Sequence, residues 1–345
     1  MRYGLPYMGS KNSIVPFIIQ ALPPAENFYD LFAGGCAITH GAMLTNKWKT
    51  IIINDINGGI TKLFIDAING KYNDEKRWIS REDFFKLKDT DPYVAYCWSF
   101  GSKVGEYLYG ADIEPWKKAL HYARVLNDRT LLHDMGIDSD GSRKDIKKHA
   151  KEYASKYCAW FKKVNEGKPL SKVNQIGLKK LENLQSLQSL QSLQRLQRLQ
   201  SLERLQSLER LERLQSLERL ESLQRLQRYC VSYEQVSIKP NSVVYCDIPY
   251  EDTAEYISGS FDHKAFYDWA CKQKELVVIS SYKISDDRFM EINCIKKYAL
   301  FKHTNDELKQ NYEKIFIPKH QKELYEKMMK RKIREVEHYE QLKLF

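Results

Sequence analysis

No apolar run in this chain approaches the ~20 residues that a membrane-spanning helix needs. The longest, around Ile51-Ile52-Ile53, is the length of a strand, which argues against an integral membrane protein. Metal and disulfide patterns are scarce too. The seven cysteines, Cys36, Cys97, Cys158, Cys230, Cys246, Cys271 and Cys294, are odd in number and include no C-x-x-C, and the eight histidines are scattered. That usage fits a reduced cytoplasm, and no metal site is expected. No apolar segment of the secretory kind follows Met1, so a cytoplasmic protein is expected. Charge is plentiful: 29% of the 345 residues are charged and the net charge is +10. That balance permits nucleic acid or an anionic membrane as partner without choosing between them. The length suggests two domains, or one domain with a large insertion.

The first seventy residues read as an α/β unit. Phe28-Tyr29-Asp30-Leu31-Phe32 is a short apolar run that stops at Ala33-Gly34-Gly35, and Cys36 to Ala42 is helix-competent. Thr50 to Asn54 is a β-branched strand ending at Asp55. Strand, glycine turn, helix, and strand with a terminal acid make the first half of a doubly wound nucleotide-binding sheet. Residues 71–177 are rich in Tyr, Trp, Lys and Arg and read as mostly helical, with a basic helix over Ile146–Val164. From Leu178 to Leu226 a leucine falls at every third position. A step of three winds leucines around an α-helix and is not the 3.5-residue seam of a coiled coil. The repeat is read as helix or helical hairpin, as a leucine-lined solenoid, or as a variable disordered insert. Strand patterns then resume at Ser242–Asp247 and Leu276–Ser281, with a late edge strand over Asn311–Ile317 and a charged helical tail. The predicted divisions are 1–70, 71–177, 178–228, 229–318 and 319–345.

Ligands of open α/β sheets bind outside the carboxyl ends of the strands. Those ends carry Asp30 with Gly34-Gly35, then Asp55, then Asp247-Ile248-Pro249-Tyr250, then Ser280-Ser281. Glycines admit a ligand close to the backbone, and an acid after the second strand suits ribose hydroxyls. An adenosine-type cofactor is therefore expected.

In order and spacing these segments resemble the Dam-type DNA N6-adenine methyltransferases, which use S-adenosyl-L-methionine. Tyr7-Met8-Gly9-Ser10-Lys11 resembles the family's first cofactor segment, with Ser10 in place of a glycine. Asp30-Leu31-Phe32-Ala33-Gly34-Gly35 resembles its D-x-F-x-G-x-G motif, and Ile53-Asn54-Asp55 its ribose-binding strand. Asp247-Ile248-Pro249-Tyr250 resembles the catalytic D-P-P-Y, with Ile248 in place of the first proline. The resemblance covers roughly residues 1–70 and 241–317. It implies a Rossmann-like methyltransferase sheet carrying a helical target-recognition insert and the leucine repeat. It assigns Tyr7, Lys11, Asp30, Phe32, Gly34, Gly35, Asp55 and Asp247 to the cofactor, and Asp247, Ile248, Pro249 and Tyr250 to catalysis.

The implied chemistry explains the residue types. The adenine amine is a poor nucleophile because its lone pair is delocalised. Two acceptors aimed at its hydrogens, the Asp247 carboxylate and the Ile248 carbonyl, would pull it towards tetrahedral geometry. Tyr250 would stack on a base turned out of the duplex. Trp98, Lys103, Tyr107 and Tyr109 are the expected contacts to double-stranded DNA, with the alternative that the aromatics are helical-domain core. The resemblance also implies a monomer, allows a cognate restriction endonuclease as functional partner, and suggests GATC as target. Other acceptors with the same geometry are cytosine N4, RNA and a protein glutamine amide. A catalytically inactive DNA-binding scaffold is the alternative of another class.

Overall fold

Strands buried on both faces read as continuous apolar runs rather than alternating ones, and the central strands here are of that kind. A computed structural model of the protein describes residues 3–5, 7, 9–102, 104–166, 205–217, 226–251, 261–297 and 311–330. The strands are Asn27–Asp30 (β1), Thr50–Asn54 (β2), Leu226–Tyr229 (β3), Ser242–Cys246 (β4), Leu276–Ser281 (β5), Phe289–Lys297 (β6) and Asn311–Pro318 (β7). They form one sheet of order β3-β2-β1-β4-β5-β7-β6. The first five are mutually parallel, and β7 runs antiparallel to β5 and β6. This is the expected doubly wound, Rossmann-like α/β sheet. Its order reverses between β1 and β4, which sets the ligand crevice at their carboxyl ends.

Three strands differ from expectation. Asn311–Pro318 lies inside the sheet, and the edge beyond it is β6, a strand whose alternating polar residues hid it. At the other edge β3 is made from the end of the leucine repeat, with Leu226 opposite Ile51. Arg228 pins it, donating from Nε to Thr61 Oγ1 at 2.9 Å and from Nη2 to the Gly58 carbonyl at 2.6 Å. Both acceptors lie on the helix Gly58–Ile68 (α3), which follows the helices Val15–Ala21 (α1) and Ala37–Met43 (α2). The tail begins as part of the same unit: Gln321 accepts from the Val277 amide and donates to the Gln273 and Glu275 carbonyls. A helix over 322–330 follows. No helix among the described residues is long and apolar enough to cross a membrane.

The chain divides into two units, Met1–Gly70 with Leu217–Phe345, and Lys71–Ser216. The second unit is helical: Arg81–Leu87 (α4), Pro92–Cys97 (α5), Glu114–His121 (α6), Thr130–Asp134 (α7), Arg143–Lys148 (α8), Ala150–Val164 (α9) and Gln206–Gln215 (α10). The side chains of Ser80, Asp91 and Ser142 cap α4, α5 and α8, which fixes three helix starts. The helix expected over Ile146–Val164 is split at His149, which ends α8 and precedes α9. One core gathers Trp116, Leu120, Leu132, Ile146, Tyr157 and Phe161.

The repeat contributes α10 to this unit. Leu211 and Leu214 are buried, and the Arg210 guanidinium donates to the carbonyls of Tyr96, Cys97 and Ser99 at 3.2, 2.9 and 2.8 Å. Those carbonyls include the unsatisfied end of α5, so Arg210 acts as its C-cap. Gln215 donates to the Tyr72 and Asn73 carbonyls. The helical reading therefore holds over Gln206–Gln215, and residues 178–204 and 218–225 lie outside the described residues. Leu214→Ala should cost about 2–5 kcal/mol in urea unfolding. The exposed Glu212→Ala should change it by less than about 0.5 kcal/mol.

Candidate active site

The crevice is built where three chain segments meet the carboxyl ends of β1 and β4. The first is the N-terminal segment. Gly4 has φ +56°, and a Cβ there would sit 2.3 Å from the Gly35 carbonyl oxygen. Its amide donates to His40 Nδ1 at 3.0 Å, and the Leu5 amide donates to the Gly35 carbonyl at 2.6 Å. A Cβ on Gly35 would meet Tyr7 Cβ at 2.7 Å. The glycine turn thus admits the chain's own Gly4, Leu5 and Tyr7, partners that sequence reasoning had not assigned it. Ser10 serves the same segment: its Oγ accepts from the Asn12 amide at 3.3 Å, opening the short helix Asn12–Ile14. A hydroxyl that closes a local turn onto the amide two residues on gives serine a use where glycine was expected.

That path delivers Lys11 to the end of β4. Its Nζ lies 2.7 Å from Asp247 Oδ1 and 3.4 Å from Glu313 Oε1, and it donates to the Tyr250 hydroxyl at 2.6 Å. The Tyr250 hydroxyl in turn donates to Glu313 Oε2 at 3.1 Å. Lys11 was expected at the cofactor; here it stands against the Asp247 carboxylate. Burial acts to lower its pKa, but Asp247 and then Glu313 more than offset this, and the net direction is upward. Glu313, fully buried on β7, was not among the expected site residues. It had a signal: it lies in phase with the buried Ile315 and Ile317, so its carboxylate points the way of the core.

Asp247 also accepts from Ser280 Oγ at 3.3 Å on the same Oδ1, and no described residue bonds Oδ2. Ile248 is buried in the core cluster with Val277 and Phe266. An isoleucine in the first proline's place thus fills core volume, and leaves its backbone carbonyl in the loop. The Pro249 carbonyl lies 2.8 Å from His263 Nε2, on the helix His263–Lys272 (α11). Only an Nε2–H tautomer can bond a carbonyl there. Tyr250 stacks on Tyr282, with ring centroids 4.1 Å apart. Glu251 accepts from the Tyr267 hydroxyl at 2.7 Å and the Ser285 amide at 3.0 Å, tying this loop to the one after β5.

Two further carboxylates stand at the ends of β1 and β2. Asp55 accepts from the Gly34 amide at 2.7 Å and the Asn57 amide at 2.8 Å, closing the glycine turn. Each oxygen keeps a lone pair. Asp30 Oδ2 accepts from the Thr39 amide and hydroxyl at 3.1 and 2.6 Å, while the buried Oδ1 has no partner. Burial above all, with Asp247 and Asp55 adding repulsion, pushes the Asp30 carboxyl up to about 7. Burial also raises Asp55, against the two amides it accepts. Phe32 packs among Tyr233, Phe261 and Phe266.

The expected DNA contacts fare differently. Trp98, Tyr107 and Tyr109 are 0%, 5% and 4% exposed. They pack around Trp78 and His121, with Trp78 stacked on Tyr109 at 5.8 Å. Burial leaves these rings no face for DNA, and the core alternative describes them. Lys103 lies outside the described residues. Ser99 and Tyr107 bridge in antiparallel fashion, and Phe100 in the loop between them is 60% exposed.

Residues 7–96 match the model of the D12 class N6 adenine-specific DNA methyltransferase family. The resemblance to the Dam-type adenine methyltransferases is thereby borne out over the segment that holds β1, β2 and the glycine turn. The sheet is accordingly a Rossmann-like methyltransferase fold, and the family whose model it matches over residues 7–96 is one of adenine-specific DNA methyltransferases.

Asp30 yields a test with a definite sign. Its carboxyl binds a proton more tightly folded than unfolded, so its contribution to stability falls as pH rises from about 4 to 7, then levels off. Asp30→Asn keeps an acceptor for Thr39 and cannot ionise. At pH 8 the unliganded variant should unfold roughly 1–3 kcal/mol harder than wild type in urea, with the gap closing towards pH 4.

Proposed function

We propose that the protein transfers the methyl group of S-adenosyl-L-methionine to the N6 amine of an adenine turned out of duplex DNA. The observation that carries this reading is Asp247 at the switch point, with Oδ2 unengaged by any described residue and Tyr250 beside it. Oδ2 and the Ile248 carbonyl accept the two amine hydrogens and release the nitrogen lone pair. The freed pair would take the methyl group as the carbon–sulfur bond breaks and its pair stays on sulfur, and the proton that N6 then sheds would pass to Oδ2, which already accepts a hydrogen bond from it. Tyr282 covers one face of Tyr250, and the target base stacks against the aromatic platform they make, which offsets part of the unstacking cost.

The crevice suits a cationic cofactor. Asp30, Asp55 and Asp247 crowd negative charge at the ends of β1, β2 and β4, and the repulsion they exert on Asp30 is relieved by a positive ligand. The cofactor supplies, when bound, an electrophilic methyl group on a positively charged sulfur. Asp55 has lone pairs left for ribose hydroxyls, and Tyr7, Phe32, Gly34 and Gly35 border the same end of the crevice.

The second unit is the DNA-recognition body in this reading. Its exposed cations Arg143, Lys144, Lys147, Lys148 and Lys151 meet phosphates and give binding a steep salt dependence. Phe100, exposed in the loop between Ser99 and Tyr107, is the aromatic offered to the bases.

The deciding measurement is transfer of labelled methyl to unmethylated genomic DNA, followed by nucleoside analysis. Label in N6-methyladenine, lost by about 10³-fold or more in Asp247→Ala, is expected. Label in cytosine N4, RNA or protein would overturn the acceptor, and unchanged transfer by the variant would overturn the mechanism. Phe100→Ala should weaken DNA binding roughly tenfold while shifting stability by less than about 0.5 kcal/mol. Trp98→Ala should instead cost about 3–5 kcal/mol of stability.

A further inference from the structure

The loop that follows β4 is fastened from one side by a helix. The Asp262 side chain caps α11 by accepting from the Ala265 amide. Phe266 and Ala270 seat that helix in the same buried cluster as Ile248. His263 and Tyr267 are four residues apart, so they share one face of α11 at a spacing of ~6 Å. They meet the loop at points two residues apart. His263 Nε2 bonds the Pro249 carbonyl oxygen at 2.8 Å, and the Tyr267 hydroxyl donates to Glu251 Oε1 at 2.7 Å. Two residues of extended chain span at most ~7 Å, so the two spacings match. The same Glu251 oxygen accepts from the Ser285 amide and hydroxyl, both at 3.0 Å, which ties the loop to the segment after β5 as well.

We propose that His263 and Tyr267 are positioning residues for methyl transfer: together they clamp the loop after β4 and fix the direction of the Ile248 carbonyl. Little torsional freedom is left once both hold. The Ile248 side chain is anchored in the core, and the ring of Pro249 locks its φ at about −65°. One soft torsion, ψ of Pro249, then separates the Ile248 carbonyl from the Pro249 carbonyl. His263 holds the second of these carbonyls, and so fixes the first. Tyr250 lies between the two clamped residues, and its backbone is carried by the same pair. Both side chains act through the loop rather than by touching substrate. The inference rests on the acceptor role proposed above for the Ile248 carbonyl.

The test compares wild type with His263→Leu, His263→Gln, Tyr267→Phe and the double variant His263→Leu/Tyr267→Phe, each as folded protein. Tyr267→Phe keeps the ring and removes the hydroxyl, and His263→Gln keeps an N–H donor. The double variant should lose about tenfold or more in kcat, with KM for DNA and for S-adenosyl-L-methionine within about twofold of wild type. His263→Gln should recover most of what His263→Leu loses. An unchanged kcat in the double variant overturns the proposal. So does a loss confined to KM, or a His263→Gln no better than His263→Leu. A second readout needs no acceptor. Pro-Tyr pairs stand at 6–7, 92–93 and 249–250, so isotope labels on the proline carbonyl and the tyrosine nitrogen select these pairs in a carbonyl–amide NMR spectrum. Tyr250→Phe identifies the signal of the last pair. That carbonyl signal should move upfield in His263→Leu, which has lost the donor, and stay near wild type in His263→Gln. A signal that does not move in His263→Leu overturns the clamp. If wild type transfers no methyl to DNA, the acceptor reading fails and the catalytic role falls with it, and the carbonyl signal alone decides whether His263 holds the loop.

Discussion

A buried ammonium has to be balanced, and the carboxyl end of the sheet is organised by that requirement. Lys11 is almost wholly enclosed, and so is Glu313. Taking either alone out of water would cost several kcal/mol, and removing one partner of such a pair strands the other. The cluster therefore ties three segments that are far apart in sequence: the N-terminal segment, the loop after β4 and the interior strand β7. Fold and site meet there, because one group that satisfies Lys11 is Asp247, at the end of β4 where an open sheet takes its ligands.

Bringing Lys11 to that place shapes the glycine turn. Gly4, Leu5 and Tyr7 come so close to it that Gly4 and Gly35 have no room for a Cβ. The Leu5 amide and the Gly35 carbonyl bond across the contact. Asp55 fastens the turn from the other side through the Gly34 amide. The same acid that was assigned to ribose thus also holds the loop in shape, and its remaining lone pairs are oriented by that first duty. Asp30 carries the opposite character. It is satisfied on one oxygen and orphaned on the other, which is the signature of a polar group kept for something other than stability.

What was legible in the sequence is what local pattern encodes. The buried runs of β1, β2, β4 and β5 need no partner to be seen, and their terminal acids and glycines fall where an α/β sheet puts ligands. Glu313 was missed because one acid in a strand of mixed residues carries weight only once β7 is known to lie inside the sheet. The phase with Ile315 and Ile317 was there to be used. Trp98, Tyr107 and Tyr109 misled for the converse reason. Aromatics among glycines and lysines look the same whether they face DNA or one another, and only the packing around Trp78 separates the two. Phe100, in the same stretch, is the ring left outside. Ser10 and Ile248, the two departures from family pattern, turn out to be local matters, a helix start and a filled core position.

The repeat poses the sharpest problem of register. The hexamer Leu-Gln-Ser-Leu-Glu-Arg stands at 199–204, 205–210 and 214–219, so three copies offer the same serine and arginine to Tyr109 and to the end of α5. The copy that docks is the middle one, and one constraint separates it from the first. The residue ten places after the first leucine must donate to the Tyr72 and Asn73 carbonyls, as Gln215 does. For the first copy that residue is Glu209, whose carboxylate has no proton to give at neutral pH. For the third it is Gln224, a competent donor, so this amide separates the middle copy from the first. A sequence of near-identical triplets therefore takes part of its register from one amide.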